Sequence, residues 1–181
     1  MTQNIYKLNI LKLDHRPERD KRITTHCALV SRAFGADSFF FSGIEDKKII
    51  ENIKNINKTW GGDFGVEYCK NPLKFVSDLK SNGWYIIHLT MYGLNINTEI
   101  ENILEIKKNK NILIIIGGPK VPREYYDISD LNLAVGNQPH SEVAAIALLL
   151  YLLNPKSLTK EFSDSKIKID PNQKYKKVIN L

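Results

Sequence analysis

Asn111-Ile-Leu-Ile-Ile-Ile116, halted by Gly117-Gly118, is the most apolar run in the chain. It is short enough for one strand and does not alternate. Such a run predicts a central strand of a parallel sheet, buried on both faces. Working outward, Trp84–Leu89 predicts a second strand, closed by a turn at Met91-Tyr92-Gly93, and Leu131–Val135 a third, ending at Gly136. Between and after them, residues 97–109 and Ser141–Leu153 read as helices, the last nearly apolar all round and so buried or at a subunit interface.

The N-terminal half repeats this alternation. Residues 5–13 alternate like a half-buried strand, and Asp14–Arg19 interrupts with a proline. From Asp20 to Phe34, Ile23, Cys27, Val30 and Phe34 recur at helical spacing, and Gly35 ends the helix. Ser38–Ser42 predicts a buried strand, 46–60 a helix stopped by Gly61-Gly62, 64–69 a strand, and the stretch after Pro72 a short helix. Strands alternating with helices give an α/β fold, a mostly parallel sheet with helices on both faces. After Asn154-Pro155 the pattern changes. Lys166–Ile169 and Tyr175–Ile179 predict a basic β-hairpin, so the chain divides into a domain over 1–154 and an extension over 155–181.

Composition bounds the function. A chain of 181 residues, 43% hydrophobic and 25% charged, suits one globular domain with a short appendage. No apolar run reaches the roughly 18 residues of a spanning helix, and the N-terminus shows no secretory h-region. Two cysteines without CxxC spacing fit a reducing, cytoplasmic setting. The net charge of +6 resides at the ends: residues 1–35 and 155–181 are each basic, whereas the middle is slightly acidic. Basic ends suit a polyanion, although lysines that only solvate the surface give the same totals. Lysine outnumbers arginine heavily, yet Arg16, Arg19, Arg22 and Arg32 fall close together. A guanidinium fork concentrated in one place points to a phosphate or catalytic site.

Ligands of open α/β sheets lie at the carboxyl ends of strands. Three segments there carry candidate chemistry: His88–Gly93, Gly117–Pro122 and Val135–Glu142. Asn137 and Ser141 are candidate caps for the final helix, whose free N–H groups favour an anionic group. Neither GxGxxG after the first strand nor GxxxxGK[ST] occurs, which disfavours a dinucleotide fold and a P-loop. His15, His26, His88 and His140 are not spaced as metal ligands, so no metal site is predicted.

His15-Arg-Pro-Glu-Arg-Asp-Lys-Arg-Ile-Thr-Thr-His26, continuing through Arg32-Ala-Phe-Gly-Ala36, resembles the first motif of the archaeal tRNA cytidine-56 ribose 2′-O-methyltransferases, a family of the SPOUT superfamily. HLTMYG (88–93), GGPKVP (117–122) and VGNQPHSEVAA (135–145) resemble its remaining signatures in order, the likeness covering roughly residues 5–153. The resemblance implies a trefoil-knotted domain, S-adenosylmethionine as cofactor, an obligate homodimer with the final helix at its interface, and the tRNA T-loop at the elbow as substrate. It implies cofactor binding by Leu89, Thr90, Met91, Tyr92, Gly93, Gly117, Gly118, Pro119, Lys120, Val121, Val135, Gly136, Asn137, Gln138, Pro139, His140, Ser141 and Glu142. Where related enzymes carry an arginine inside the first helix, this chain has Leu29. The catalytic role therefore passes to Arg19, Arg22 and Arg16, or to His26. The second glycine loop also departs from the pattern, with Gly118-Pro119. Rival readings are a non-enzymatic RNA-binding module on the same scaffold, a methyltransferase for another RNA site, and a nucleotide-binding enzyme with a small substrate.

Overall fold

The computed structural model describes residues 6–118, 120–162 and 164–181, without the side chains of Asp20 and Lys21. Six parallel strands form one sheet in the order β3-β2-β1-β5-β4-β6. They are β1 (Leu8–His15), β2 (Ser38–Gly43), β3 (Gly65–Tyr68), β4 (Tyr85–Asn95), β5 (Ile112–Ile116) and β6 (Leu131–Ala134). β5 is buried along its whole length and lies between β1 and β4, as its unbroken apolar run requires. The expected start of the first strand at residue 5 falls outside the described residues.

Helices cover both faces. Cys27 and Ala28 of α1 (Pro17–Ala33), Ile49 and Ile53 of α2 (Lys47–Trp60), Ile96 and Ile103 of α4 (Ile96–Ile106) and the buried side of α6 (Glu142–Leu153) share one core with the sheet. On the other face Val76 of α3 (Pro72–Ser81) and Tyr125 of α5 (Arg123–Ile128) pack on Leu11, Leu13, Leu113 and Ile115. α6 buries Ala145, Ile146, Leu149, Leu150 and Leu153 but leaves Leu148 and Tyr151 exposed.

Three expectations are corrected. The proline expected to interrupt before Asp20 instead starts α1: Pro17 takes the first helical position, where its missing N–H costs no intrahelical bond. The expected turn at Met91-Tyr92-Gly93 is not a strand end. β4 leaves its register with β6 after Leu89 and regains it at Leu94, so residues 90–93 bulge outward inside a continuing strand. The six-residue α5, too short to show helical periodicity, was not expected at all.

After a 3-10 turn at Pro155–Thr159, β7 (Ile167–Ile169) and β8 (Val178–Asn180) pair antiparallel. The segment before them is tied to the end of α2. Asp164 accepts the Gly62 N–H at 2.8 Å, and the Lys166 N–H donates to Thr59 O. Arg32 stacks its guanidinium 4.5 Å from the Phe162 ring centroid while donating to Asn57 and to Gly61 O. Arg32 is thus buried structural glue and does not join the other arginines of its cluster.

Gly93 fixes the return of the bulge, because a Cβ there would sit 2.4 Å from the Asn132 carbonyl oxygen. Gly93→Ala should cost about 1–3 kcal/mol in urea unfolding, the usual penalty for forced overpacking. An unchanged midpoint would contradict the close approach of β4 and β6.

Candidate active site

The departure of β4 from β6 opens a cleft at the carboxyl ends of β4, β5 and β6. Its volume is about 500 Å³. Leu89, Thr90, Met91 and Tyr92 form one wall, and Ile116, Gly117, Gly118 and Val121 a second. Val135, Pro139, His140 and Glu142 form a third, with Leu133 and Ala145 joining them. Gly117 leaves room for Val121 to close the second wall: a Cβ there would lie 2.1 Å from Val121 Cγ2, which would have to turn away. The loop before α6 is stapled to the bulge by Asn137, whose Nδ2 donates to Met91 O at 2.8 Å and to Gly93 O at 3.3 Å. Ser141 caps α6 by accepting the Val143 N–H. Asn137, the other candidate cap, is the staple instead.

Of the expected cofactor residues, Gly93, Lys120, Gly136, Asn137, Gln138 and Ser141 do not line the cleft, and Pro119 lies outside the described residues. Gly93, Asn137 and Ser141 shape its walls from behind. Lys120 and Gln138 are exposed. Five lining residues were absent from the expectation: His88, Ile116, Tyr126, Leu133 and Ala145. Their places at the carboxyl ends of β5 and β6 signal Ile116 and Leu133, whereas Tyr126 comes from the unexpected α5.

The arginines divide. Arg16 Nε stands 3.6 Å from Asp14 Oδ2, and its Nη2 would lie 3.7 Å from a Cβ on Gly118, against the second wall. Arg19 and Arg22 are exposed and line a separate groove of about 740 Å³ with His26, Lys48, Glu45 and Asp46, between the start of α1 and the β2–α2 connection. Leu29 packs against the core. His15 is buried and bonded to Thr24 at 2.8 Å. Cys27 is no nucleophile: burial first, then the Glu142 carboxylate, pushes its thiol up to about 12. Among the described residues no group of three or more His, Cys, Asp or Glu is placed to hold a metal, and no helix is long and apolar enough to cross a membrane.

His88 is fully buried. Asn132 Nδ2 donates to Tyr126 O, which turns the Asn132 Oδ1 toward His88 Nδ1 at 2.9 Å. That network assigns the proton to Nδ1. Burial holds the imidazole below its ordinary value, and the Asn132 bond opposes this only in part. The unfolded chain therefore binds this proton at a higher pH than the folded one. The stability that neutral His88 supplies is complete above about pH 6.5 and is lost as the pH falls through the lower folded value. In urea titrations His88→Gln should lose stability less steeply than wild type between about pH 7 and pH 5. Parallel declines would contradict this reading.

Comparison with known proteins places the cleft in a family. Residues 60–179 match the family tRNA ribose 2′-O-methyltransferase, aTrm56. That match takes in all three walls and runs past residue 153 through the C-terminal strands. The chain is 49% identical over 174 residues to the tRNA (cytidine(56)-2′-O)-methyltransferase of Pyrococcus horikoshii, covering 95% of this chain and 84% of that one. It is 51% identical over 173 residues to its counterpart in Methanococcus maripaludis strain C6, covering 93% and 95%. Among solved structures, the A. aeolicus TrmH/SpoU tRNA modifying enzyme superposes with a TM-score of 0.61 at 18% identity, over 87% of this chain and 80% of that one. The SpoU methyltransferase AviRb from Streptomyces viridochromogenes in complex with AdoMet gives 0.58 at 10% identity, over 88% and 60%. At those identities the likeness is one of fold.

Proposed function

The chain belongs to the tRNA ribose 2′-O-methyltransferase family aTrm56, and from that premise we propose that it methylates the ribose 2′-hydroxyl of cytidine 56 in the T-loop of tRNA, with S-adenosylmethionine as donor. The observation that carries the proposal is the cleft where β4 parts from β6. All its walls lie within the family match, and the bulge, the glycine loop and the α6 cap build it together.

The residues present fit the cofactor. A cavity of about 500 Å³ is within the roughly 300–1,000 Å³ usual for sites of such ligands. Its walls pair apolar side chains (Leu89, Ile116, Leu133, Val135) with the backbone of a bulge and of a glycine loop, where close approach is open. When bound, the cofactor supplies an electrophilic methyl group on a sulfonium. The chain's own task is to hold the ribose oxygen in line with that methyl and to ease its proton away. Arg16, whose guanidinium lies against Gly118 at the rim of the cleft, is assigned the hydroxyl or the phosphate beside it. Arg19, Arg22 and Lys48 face the next groove and offer charge to the RNA backbone.

The same reading includes a trefoil knot around the cleft, a homodimer that covers Leu148 and Tyr151 of α6, and a cytoplasmic setting. It keeps the division into a catalytic domain over 1–154 and a basic extension over 155–181.

The test is incubation of the purified protein with an unmodified tRNA transcript and isotope-labelled S-adenosylmethionine, followed by nucleoside mass spectrometry and site mapping. Labelled 2′-O-methylcytidine at position 56 is expected. No labelled nucleoside from a protein that binds the cofactor would refute the tRNA assignment. The arginines should separate in the same assay. Arg16→Ala should lower kcat by about 10²-fold or more, the scale of a missing charged hydrogen-bond donor at the reacting centre. Arg19→Ala with Arg22→Ala should chiefly weaken tRNA binding. It should also flatten the salt dependence by about one unit of log–log slope for each phosphate no longer neutralised. A slope that stays the same would remove both from the RNA interface.

A further inference from the structure

Beneath the third wall lies a charge pair with no part in the mechanism above. Lys12 occupies the centre of the sheet on β1, and its side chain is 2% exposed. Its Nζ lies 2.9 Å from Oε2 of Glu142, the first residue of α6. Cys27 Sγ approaches the same oxygen at 3.9 Å as a neutral thiol. A lysine taken wholly out of water is tolerable only when paired, and an apolar pair of similar volume would often serve stability as well. The pair therefore calls for an explanation other than stability.

Its placement supplies one. Glu142 lines the cleft and is a quarter exposed, whereas Lys12 is sealed inside. Among the described lining residues Glu142 is the one acid, and no lysine or arginine side chain joins it. The wall thus presents a carboxylate to the ligand and hides its counter-charge. The carboxylate end of the pair faces the ligand and Lys12 lies behind it, so the field in the cleft is negative but partly offset, enough to distinguish ligands that differ by one charge.

Resting on the reading that the cleft holds S-adenosylmethionine, we infer that Glu142, backed by the buried Lys12, makes the cleft prefer the cationic sulfonium cofactor to S-adenosylhomocysteine. The methyl passes to the ribose oxygen, whose proton is released to solvent, the S–CH₃ electron pair stays on sulfur, and the sulfonium becomes a neutral thioether. The attraction to Glu142 ends with that step, which favours exchange of spent for fresh cofactor.

Calorimetric titration of wild type, Glu142→Gln and the double variant Lys12→Met/Glu142→Gln with each of the two nucleosides tests the inference. The double variant leaves no unpaired buried lysine, so it serves if the single one does not fold. Both should bind S-adenosylmethionine about five- to twentyfold more weakly, the scale of one partly screened charge at close range. Affinity for S-adenosylhomocysteine should stay within about twofold, since it shares the ammonium and carboxylate of S-adenosylmethionine but carries no charge on sulfur. Equal weakening of both ligands, or an unchanged ratio, overturns the inference and leaves the cofactor reading standing. Failure of wild type to bind either nucleoside overturns the cofactor reading and the inference with it.

Discussion

Between Leu89 and Leu94 the β4 strand must satisfy two neighbours that make different demands. On one side it pairs with the fully buried β5 through Leu89 opposite Ile116, and on the other it reaches β6 at two separate places. The strand resolves the conflict by letting residues 90–93 bulge out, and the cleft is the space this leaves. The other parts of the site are fitted to the bulge: Asn137 bonds its carbonyls, Tyr126 meets Thr90 at 3.2 Å, and Gly93 lets the backbone return beside Asn132. A parallel sheet buried on both faces would otherwise have no reason to expose backbone in the middle of a strand.

Charge is partitioned around this frame by burial. Arg32 is consumed in holding Phe162 of the C-terminal segment against Gly61 at the end of α2, and Lys12 in anchoring Glu142. Arg16, Arg19 and Arg22, carried by the β1–α1 corner and the first turns of α1, remain at the surface next to the cleft or in the adjoining groove. The basic N-terminal segment therefore combines structural and surface cations, which a charge total cannot separate.

Much of this was legible in the sequence for identifiable reasons. The unbroken apolar run of β5, the helical spacing in α1 and α2 and the glycines after strands are local signals, and the sheet follows from their alternation. Ser141 was readable as a cap because capping is a matter of neighbouring residues. What escaped was non-local or weakly marked. Pro17 signals a break as readily as a helix start. The bulge at 90–93 looks like a turn until β6 is known to lie alongside. Tyr126 sits on a helix of six residues, below the length at which periodicity shows. The Lys12–Glu142 pair joins the first strand to the last core helix, and no spacing rule connects them. Asn137 and Gly93, expected among the cofactor residues, stand behind the walls of the cleft and shape them.

If the cleft made by the β4 bulge is where the cofactor binds, S-adenosylmethionine must quiet the backbone around it. Hydrogen–deuterium exchange with and without that nucleoside tests this most directly. Protection should concentrate in residues 88–93, 116–121 and 133–142, with α2 and β3 unchanged. Protection confined to the Arg19–Arg22 groove, or spread evenly over the sheet, would contradict it.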